Sequence, residues 1–150
     1  MQISAKTDYA VRALLVLAAE PDGRPLTGEA IATSQGMPVK FVENTLVELR
    51  RRGLVTSQRG PAGGFKLAVP ANRITVADVV RAVHGPLAEV RGVRPEHAVY
   101  GGPAEHLQEV WIALRASLRS VLEQVTLADV TDSKLPAHVQ ALVDDPASWV

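Results

Sequence analysis

The sequence predicts a mainly α-helical protein with one small β-hairpin, and three observations within residues 27–69 predict it. Two short stretches with helical apolar spacing are separated by about three residues. Gly53 closes the second stretch, and two runs of alternating apolar residues follow it. Between those runs lies the Gly-rich hexapeptide Arg59 to Gly64, Arg-Gly-Pro-Ala-Gly-Gly. Helix, tight turn, helix and hairpin in that order make a winged helix-turn-helix.

Thr27 suits an N-cap, because its hydroxyl can accept from an otherwise orphan helix N–H, and Leu26 before it can pack back as a staple. Gly36 can take the left-handed conformation that stops this first short helix, and Pro38 opens the next. In the second helix Val39, Val42, Leu46 and Leu49 form one core-facing stripe at about 100° per residue. The opposite face carries Lys40, Asn44, Val47 and Arg51, with Phe41 and Glu43 on the flanks. A helix that enters the major groove presents its N-terminal residues to base edges in this way. Leu54 to Gln58 and the alternation of Phe65, Leu67 and Val69 read as the two strands. Arg59, beside Gly60 on the tip, can reach a phosphate or a minor groove. The tip is not a nucleotide-binding loop, since no Lys-Ser or Lys-Thr follows the glycines and a strand comes next.

The other elements follow in order. Thr7 to Ala19 is a helix with Tyr9, Ala13 and Leu17 on one face and Ala10 and Leu14 beside them, ended by Pro21-Asp22-Gly23. Arg12 reads as a solvated side chain on its polar side. Arg50, Arg51 and Arg52 complement the C-terminal end of a helix dipole, and of the three Arg51 is best placed for phosphate. Ile74-Thr75-x-x-Asp78 is a staple with a capping box that uses Asp in place of Glu, starting a helix with Val79, Val80 and Val83 on its apolar side; Gly85-Pro86 stops it. Residues 87–104 lose all periodicity and read as a long loop. His97 in it and His106 just beyond it read as surface residues.

The longest helix is expected from Glu105 to Thr126. Leu107, Val110, Trp111, Leu114, Leu118, Val121, Leu122 and Val125 fall on one stripe about 30 Å long. So long an apolar face calls for a partner helix from a second copy, the alternative being cover by the first helix and the segment after Leu127. Ser133 to Val143 reads as a further short helix. The organisation is then a head at 1–86, a loop at 87–104, a dimerisation helix at 105–130 and a tail at 131–150.

With 150 residues, 47% of them apolar, the chain can bury a core of ordinary domain size. No apolar run approaches the roughly 20 residues of a bilayer span and the N-terminus has no signal-peptide pattern, so the expected location is the cytoplasm. The absence of cysteine excludes disulfides, thiolate zinc sites, cysteine nucleophiles and cysteine-ligated iron–sulfur clusters. The zero net charge hides an asymmetry. Residues 1–75 hold ten Lys/Arg against six Asp/Glu, and residues 76–150 hold six against ten. A basic reading head on an acidic body has this distribution.

Five stretches taken together carry a family resemblance: Lys6-Thr7-Asp8-Tyr9-Ala10-Val11-Arg12, Phe41-Val42-Glu43-Asn44, Leu49 to Val55, Arg59 to Phe65, and Ile74 to Val79. In this order and register, from about Met1 to Val130, the chain resembles the Rrf family of bacterial winged helix-turn-helix regulators. That family includes an iron–sulfur regulator, a nitric-oxide sensor and a cysteine-metabolism repressor. The resemblance implies that Lys40, Phe41, Glu43 and Asn44 face the major groove, that Arg59 with Gly60 enters the minor groove, and that Lys6 meets a backbone phosphate. It implies that the long helix makes a homodimer. In cluster-binding relatives the loop supplies three cysteine ligands; here it has none, so no cofactor is expected.

The expected function is sequence-specific binding of double-stranded DNA at a near-palindromic operator by a homodimer, as a repressor in preference to an activator. The rival is a winged helix used for protein contacts, whose basic face meets an acidic partner. An enzyme is not expected, because no nucleophile with a base, no carboxylate pair and no cofactor loop is present. The signal is left open between a small-molecule effector, a partner protein and no effector.

Overall fold

The computed structural model describes all residues, 1–150. Helix α1 spans Ala5–Ala18, two residues earlier than expected, because the Ser4 hydroxyl accepts from the Thr7 N–H at 3.1 Å and caps it. Ala10, Ala13, Leu14 and Leu17 of this helix enter the core. Helix α2, Gly28–Ser34, starts at the expected Thr27 cap, whose hydroxyl accepts from Ala30 N at 3.1 Å. Leu26 does more than staple: it pairs with Phe65 through two backbone hydrogen bonds, 2.9 and 2.7 Å, and so docks the hairpin on the start of α2.

Helix α3, Val39–Arg51, follows a turn that is set by one device used twice. Gly36, at φ +62°, and Gly53, at φ +77°, each sit just past a helix end. After Gly36, Met37 N bonds Ala32 O at 2.9 Å; after Gly53, Leu54 N bonds Leu49 O at 3.0 Å. These are Schellman closures, which bring the residue after the glycine back against the helix. That explains why Met37, unremarked in the sequence, is buried. Pro38 is the cap before α3, with ψ 120°, and not its first helical residue.

Val42, Leu46 and Leu49 are fully buried as expected, but Val39 is not. At the first residue of the helix it stays 38% exposed, and Thr45 completes the buried stripe by donating its hydroxyl to Phe41 O at 2.9 Å. That bond removes the cost of burying a hydroxyl.

The wing is an antiparallel pair, β1 (Val55–Gln58) and β2 (Gly64–Leu67), in the register Val55↔Leu67 to Gln58↔Gly64. It stops short of Val69, which is exposed. Helix α4, Val76–Val83, opens on the expected box: Thr75 Oγ1 accepts from Asp78 N at 3.1 Å, and Asp78 Oδ2 from Thr75 N at 2.9 Å.

The expected long helix is shorter. Helix α5 spans Leu107–Leu122, 16 residues and about 24 Å, because a second box interrupts it. Val125-Thr126-Leu127-Ala128-Asp129-Val130 repeats the pattern Ile74-Thr75-Val76-Ala77-Asp78-Val79. Thr126 and Asp129 cap one another at 3.1 and 2.8 Å to start helix α6, Leu127–Thr131. The two caps lie antiparallel, with Val76 N to Val125 O and Leu127 N to Ile74 O both at 2.9 Å. The chain therefore returns to the head, α6 packs on α1, and Val125 is buried inside its own chain, which removes it from the expected dimer stripe.

Helix α7, Ala137–Asp144, follows Pro136 and is linked to α5 where His138 Nε2 meets Ser120 O at 2.8 Å. A 3-10 turn at Pro146–Trp149 ends the chain. No helix is long and apolar enough to cross a membrane.

Candidate nucleic-acid interface

The N-terminal turns of α3 carry the side chains expected to read DNA. Lys40 and Asn44 are exposed and Phe41 is 39% exposed. Glu43 is half-buried, because it lies over Gly28 at the start of α2: a Cβ there would sit 2.8 Å from Glu43 Cγ. Phe41 packs edge-on against Tyr9 of α1, with ring centroids 5.4 Å apart and an interplanar angle of 85°.

Beneath that pair lies Arg12, which is not a merely solvated side chain. Its guanidinium stands 5.7 Å over the Tyr9 ring, bonds Asp8 Oδ2 and Gln35 Oε1 at 3.2 Å each, and donates to the Gln35 carbonyl. Gln35 closes α2 at the turn, so Arg12 fastens α1 to the joint between α2 and α3. No spacing rule in the sequence marks this role, since the acceptors, the side-chain and backbone oxygens of Gln35, lie 23 positions away.

Two other basic residues also hold the head together. Lys6 Nζ pairs with Glu48 of α3 at 2.6 Å, and a phosphate would have to compete with that carboxylate. Such a half-exposed pair is worth at most about 1 kcal/mol, so the exchange is cheap. Arg50 Nη1 donates to Ser57 Oγ at 3.0 Å and couples α3 to the wing. The wing tip is tight: a Cβ on Gly63 would lie 2.3 Å from Gln58 O, and Gly60 holds φ +101°. Ala62 needs no positive φ. Arg59 is exposed on this tip.

Ion pairing separates the head from the rest. Lys40, Arg51, Arg52, Arg59, Lys66 and Arg73 have no carboxylate within 4.0 Å. In the second half of the chain Arg94 and Lys134 are also without one, and the other four cations are engaged. Arg81 and Arg119 both bind Glu123, Arg115 binds Glu96, and Arg91 stands 5.5 Å over the Tyr100 ring. Hydrogen bonds from Arg119 and then Arg81 hold the Glu123 carboxyl below the ordinary value of 4.5. The Glu96 carboxyl is held below it too, by a backbone N–H first and then by Arg115.

Of the residues expected at a dimer seam, Leu107, Trp111, Leu114, Leu118, Val121 and Leu122 are half-buried and Val110 is 55% exposed. No residue of α5 is buried. Ile112, outside the expected stripe, is also exposed.

In loop 87–104 and just after it the donors are dispersed. Glu96 is bound to Arg115, His97 is exposed, and His106 Nδ1 pairs with Glu109 Oε1 at 3.0 Å. No three His, Asp or Glu side chains come together there or elsewhere in the chain.

Comparison with known proteins gives the same fold and a common occupation. The model of the Rrf2 family, described as iron-dependent transcriptional regulators, matches residues 3–133. A protein of Mycobacterium tuberculosis named as an HTH-type transcriptional regulator is 48% identical over 145 residues, 97% of this chain and 90% of that one. The HTH-type transcriptional regulator CymR of Bacillus subtilis is 31% identical over 142 residues, covering 93% and 98%. Its structure, the global cysteine regulator, superposes with a TM-score of 0.75 at 29% identity, over 89% of this chain and 98% of that one. IscR of T. potens superposes with a TM-score of 0.71 at 28% identity, over 100% and 97%. These relatives are regulators and not enzymes, and the winged helix-turn-helix head with its hairpin is common to them. This chain belongs to the Rrf2 family of transcriptional regulators.

Proposed function

We propose that the protein is a homodimeric repressor that binds a near-palindromic operator through α3 and the wing of each head. One observation carries this reading: Lys40, Arg51, Arg52, Arg59, Lys66 and Arg73, all without a carboxylate partner, gather on α3, the wing and the turn after it, whereas in the body Arg81, Arg115 and Arg119 are paired and only the scattered Arg91, Arg94 and Lys134 are not. Free cations release condensed counterions on meeting phosphate, whereas paired ones must first break a bond. Asn44 is placed to pair with adenine, Lys40 with guanine, and Glu43 to accept from a cytosine amino group. Phe41, steadied by Tyr9, offers an apolar edge to a thymine methyl. Lys6, Arg51 and Arg59 with Gly60 track the backbone and the minor groove.

The seam of α5, Leu107, Val110, Trp111, Leu114, Leu118, Val121 and Leu122, joins the two copies. Dimerisation accounts for a helix that its own chain leaves half covered. The protein works in the cytoplasm and needs no iron. Its donor set supports this last point: no cysteine, histidines apart, and Glu96 already neutralised by Arg115. Those residues do not fit an iron–sulfur cluster.

Fluorescence anisotropy on a selected operator and on random DNA at several salt concentrations tests the function. Specific binding should weaken steeply with salt and exceed random binding by at least about 10³. Equal affinity for both DNAs would show that the head does not read sequence.

A further inference from the structure

A circuit of side chains spans the turn between α2 and α3. Phe41, the third residue of α3, leaves 39% of its surface open, and Tyr9 of α1 is the aromatic ring against it, edge-on at 5.4 Å. Tyr9 is itself packed against the core. Arg12 stands three residues further along α1, on the same side of that helix, with its guanidinium 5.7 Å over the Tyr9 ring. Its other ties run to Asp8, one turn back, and to both oxygens of Gln35, the residue that caps α2. From Gln35 the chain passes through Gly36, Met37 and Pro38 into α3 and so returns to Phe41. Every step of the circuit is a direct contact: Gln35 with Arg12, Arg12 with Tyr9, Tyr9 with Phe41.

A phenyl ring has no donor or acceptor, so on a helix in the major groove the feature of a base edge that it matches is the C5 methyl of thymine. Such a contact discriminates only if the ring is held, because an exposed side chain free to turn among its rotamers loses in ordering an amount comparable to what one methyl returns. Edge-on packing against a fixed ring removes that freedom. We propose that Tyr9 and Arg12 are positioning residues that hold the Phe41 ring as the reader of a pyrimidine C5 methyl, so that one thymine in each half-site is recognised by its methyl group. This rests on α3 entering the major groove. Arg12 works through its planar fork, which lies over the Tyr9 ring while its N–H groups reach Asp8 and Gln35, a combination that an ammonium cannot reproduce. Burying one methyl changes affinity about fourfold, so two half-sites together gain about fifteenfold.

The test uses the full chain and a selected operator in which thymines are replaced by deoxyuridine, one symmetry-related pair at a time. That change removes the methyl and leaves every hydrogen-bonding group of the base in place. The wild type should lose about fifteenfold at one such pair, and Phe41→Ala should lose no more than about twofold there. Tyr9→Leu and Arg12→Met should shrink the penalty at that pair to about two- to threefold and leave the penalties for base substitutions elsewhere in the site unchanged. Arg12→Lys should behave as Arg12→Met, whereas Tyr9→Phe, which keeps the ring, should retain the penalty in full. Arg12→Met alters a partly exposed side chain and carries the test if Tyr9→Leu fails to fold. A wild type equally tight on operator and random DNA would overturn the functional reading on which the inference rests. A wild type indifferent to uracil at every thymine, or a Phe41→Ala protein that keeps the penalty, would overturn the methyl contact. Full retention of the penalty in Arg12→Met and Tyr9→Leu would sink the positioning role alone. An equal loss at all base pairs would show these side chains only to hold the head together and would overturn that role as well.

Discussion

Replacing Gly64 with Ala should undo the docking of the wing. Gly64 holds φ +146°, and a Cβ there would stand 2.5 Å from both the carbonyl carbon and the oxygen of Leu26, and 2.9 Å from Thr27 N. These are backbone atoms and cannot swing aside as a side chain can. Relief requires the hairpin to back away from Leu26, which breaks the Leu26 N to Phe65 O and Phe65 N to Leu26 O bonds. Two such bonds contribute about 1 kcal/mol each, and the glycine-only backbone adds about 1–3 kcal/mol. The expected loss of about 3–5 kcal/mol is a large part of the 5–15 kcal/mol that holds a domain of this size. Gly53→Ala is the control, because its φ is +77° but nothing lies within 4 Å of the new Cβ, so only the backbone term of about 1 kcal/mol applies. Calorimetry should then show a fall in Tm of roughly 6–20 °C for Gly64→Ala and roughly 2–4 °C for Gly53→Ala. Equal shifts for the two variants, or a Gly64→Ala protein as stable as the wild type, would refute the steric argument.

Other outcomes follow from the same geometry. Asn44→Ala should cost about 1–3 kcal/mol on the operator with little change on random DNA, while Arg59→Ala should weaken both and lower the salt slope by about one per head, as anisotropy titrations will show. Leu114→Arg with Leu118→Arg puts unpaired charges on both sides of an apolar seam and should give a monomer by sedimentation. Protein prepared without oxygen should be colourless and should bind DNA after chelator treatment; absorption near roughly 400 nm with stoichiometric iron and sulfide would contradict an iron-free regulator. Glu96 and Glu123 have folded pKa values below their ordinary 4.5, so their contribution is complete above that value and is lost as pH falls through the lower folded ones. Thermal stability should therefore hold from neutrality down to about pH 5 and drop below 4.5, and Glu96→Gln with Glu123→Gln should flatten that acid limb.

The head could be read from sequence because each of its boundaries has a local chemical cause. Thr27, Gly36, Gly53, Gly63 and Thr75 act on backbone groups within a few residues of themselves, and the apolar stripe of α3 has one period. What escaped the reading depends on distant partners. Leu26 reads as a staple in the sequence because the partner that makes it a strand residue, Phe65, is 39 positions away. Arg12 has polar neighbours at residue 35, and Lys6 at residue 48. The end of α5 is a different kind of miss, since Thr126 and Asp129 stand at capping-box spacing in plain view. The apolar period from Leu107 runs on through Val125 and masks them, although a Thr-x-x-Asp box is the stronger signal of a fresh helix start.

That repeated box also explains how an α5 without a core of its own stays with the head. Ile74-Thr75 and Val125-Thr126 place two helix starts side by side, and the backbone bonds between them bring both ends of the segment from α4 to α6 to one place. The excursion of loop and α5 between those ends is then a closed arm, tied at its base by these bonds and by Arg81 with Glu123, and along its length by the bonds of Arg115 to Glu96, Gln108 to Ala98 and Trp111 to Tyr100. Closing the arm in this way uses Arg81, Arg115 and Arg119 internally, and each one so used is withdrawn from DNA. The neutral total of the chain is thus the sum of a first half with ten cations against six anions and a second half with six against ten, so the salt dependence of DNA binding should be set by the unpaired cations of the head.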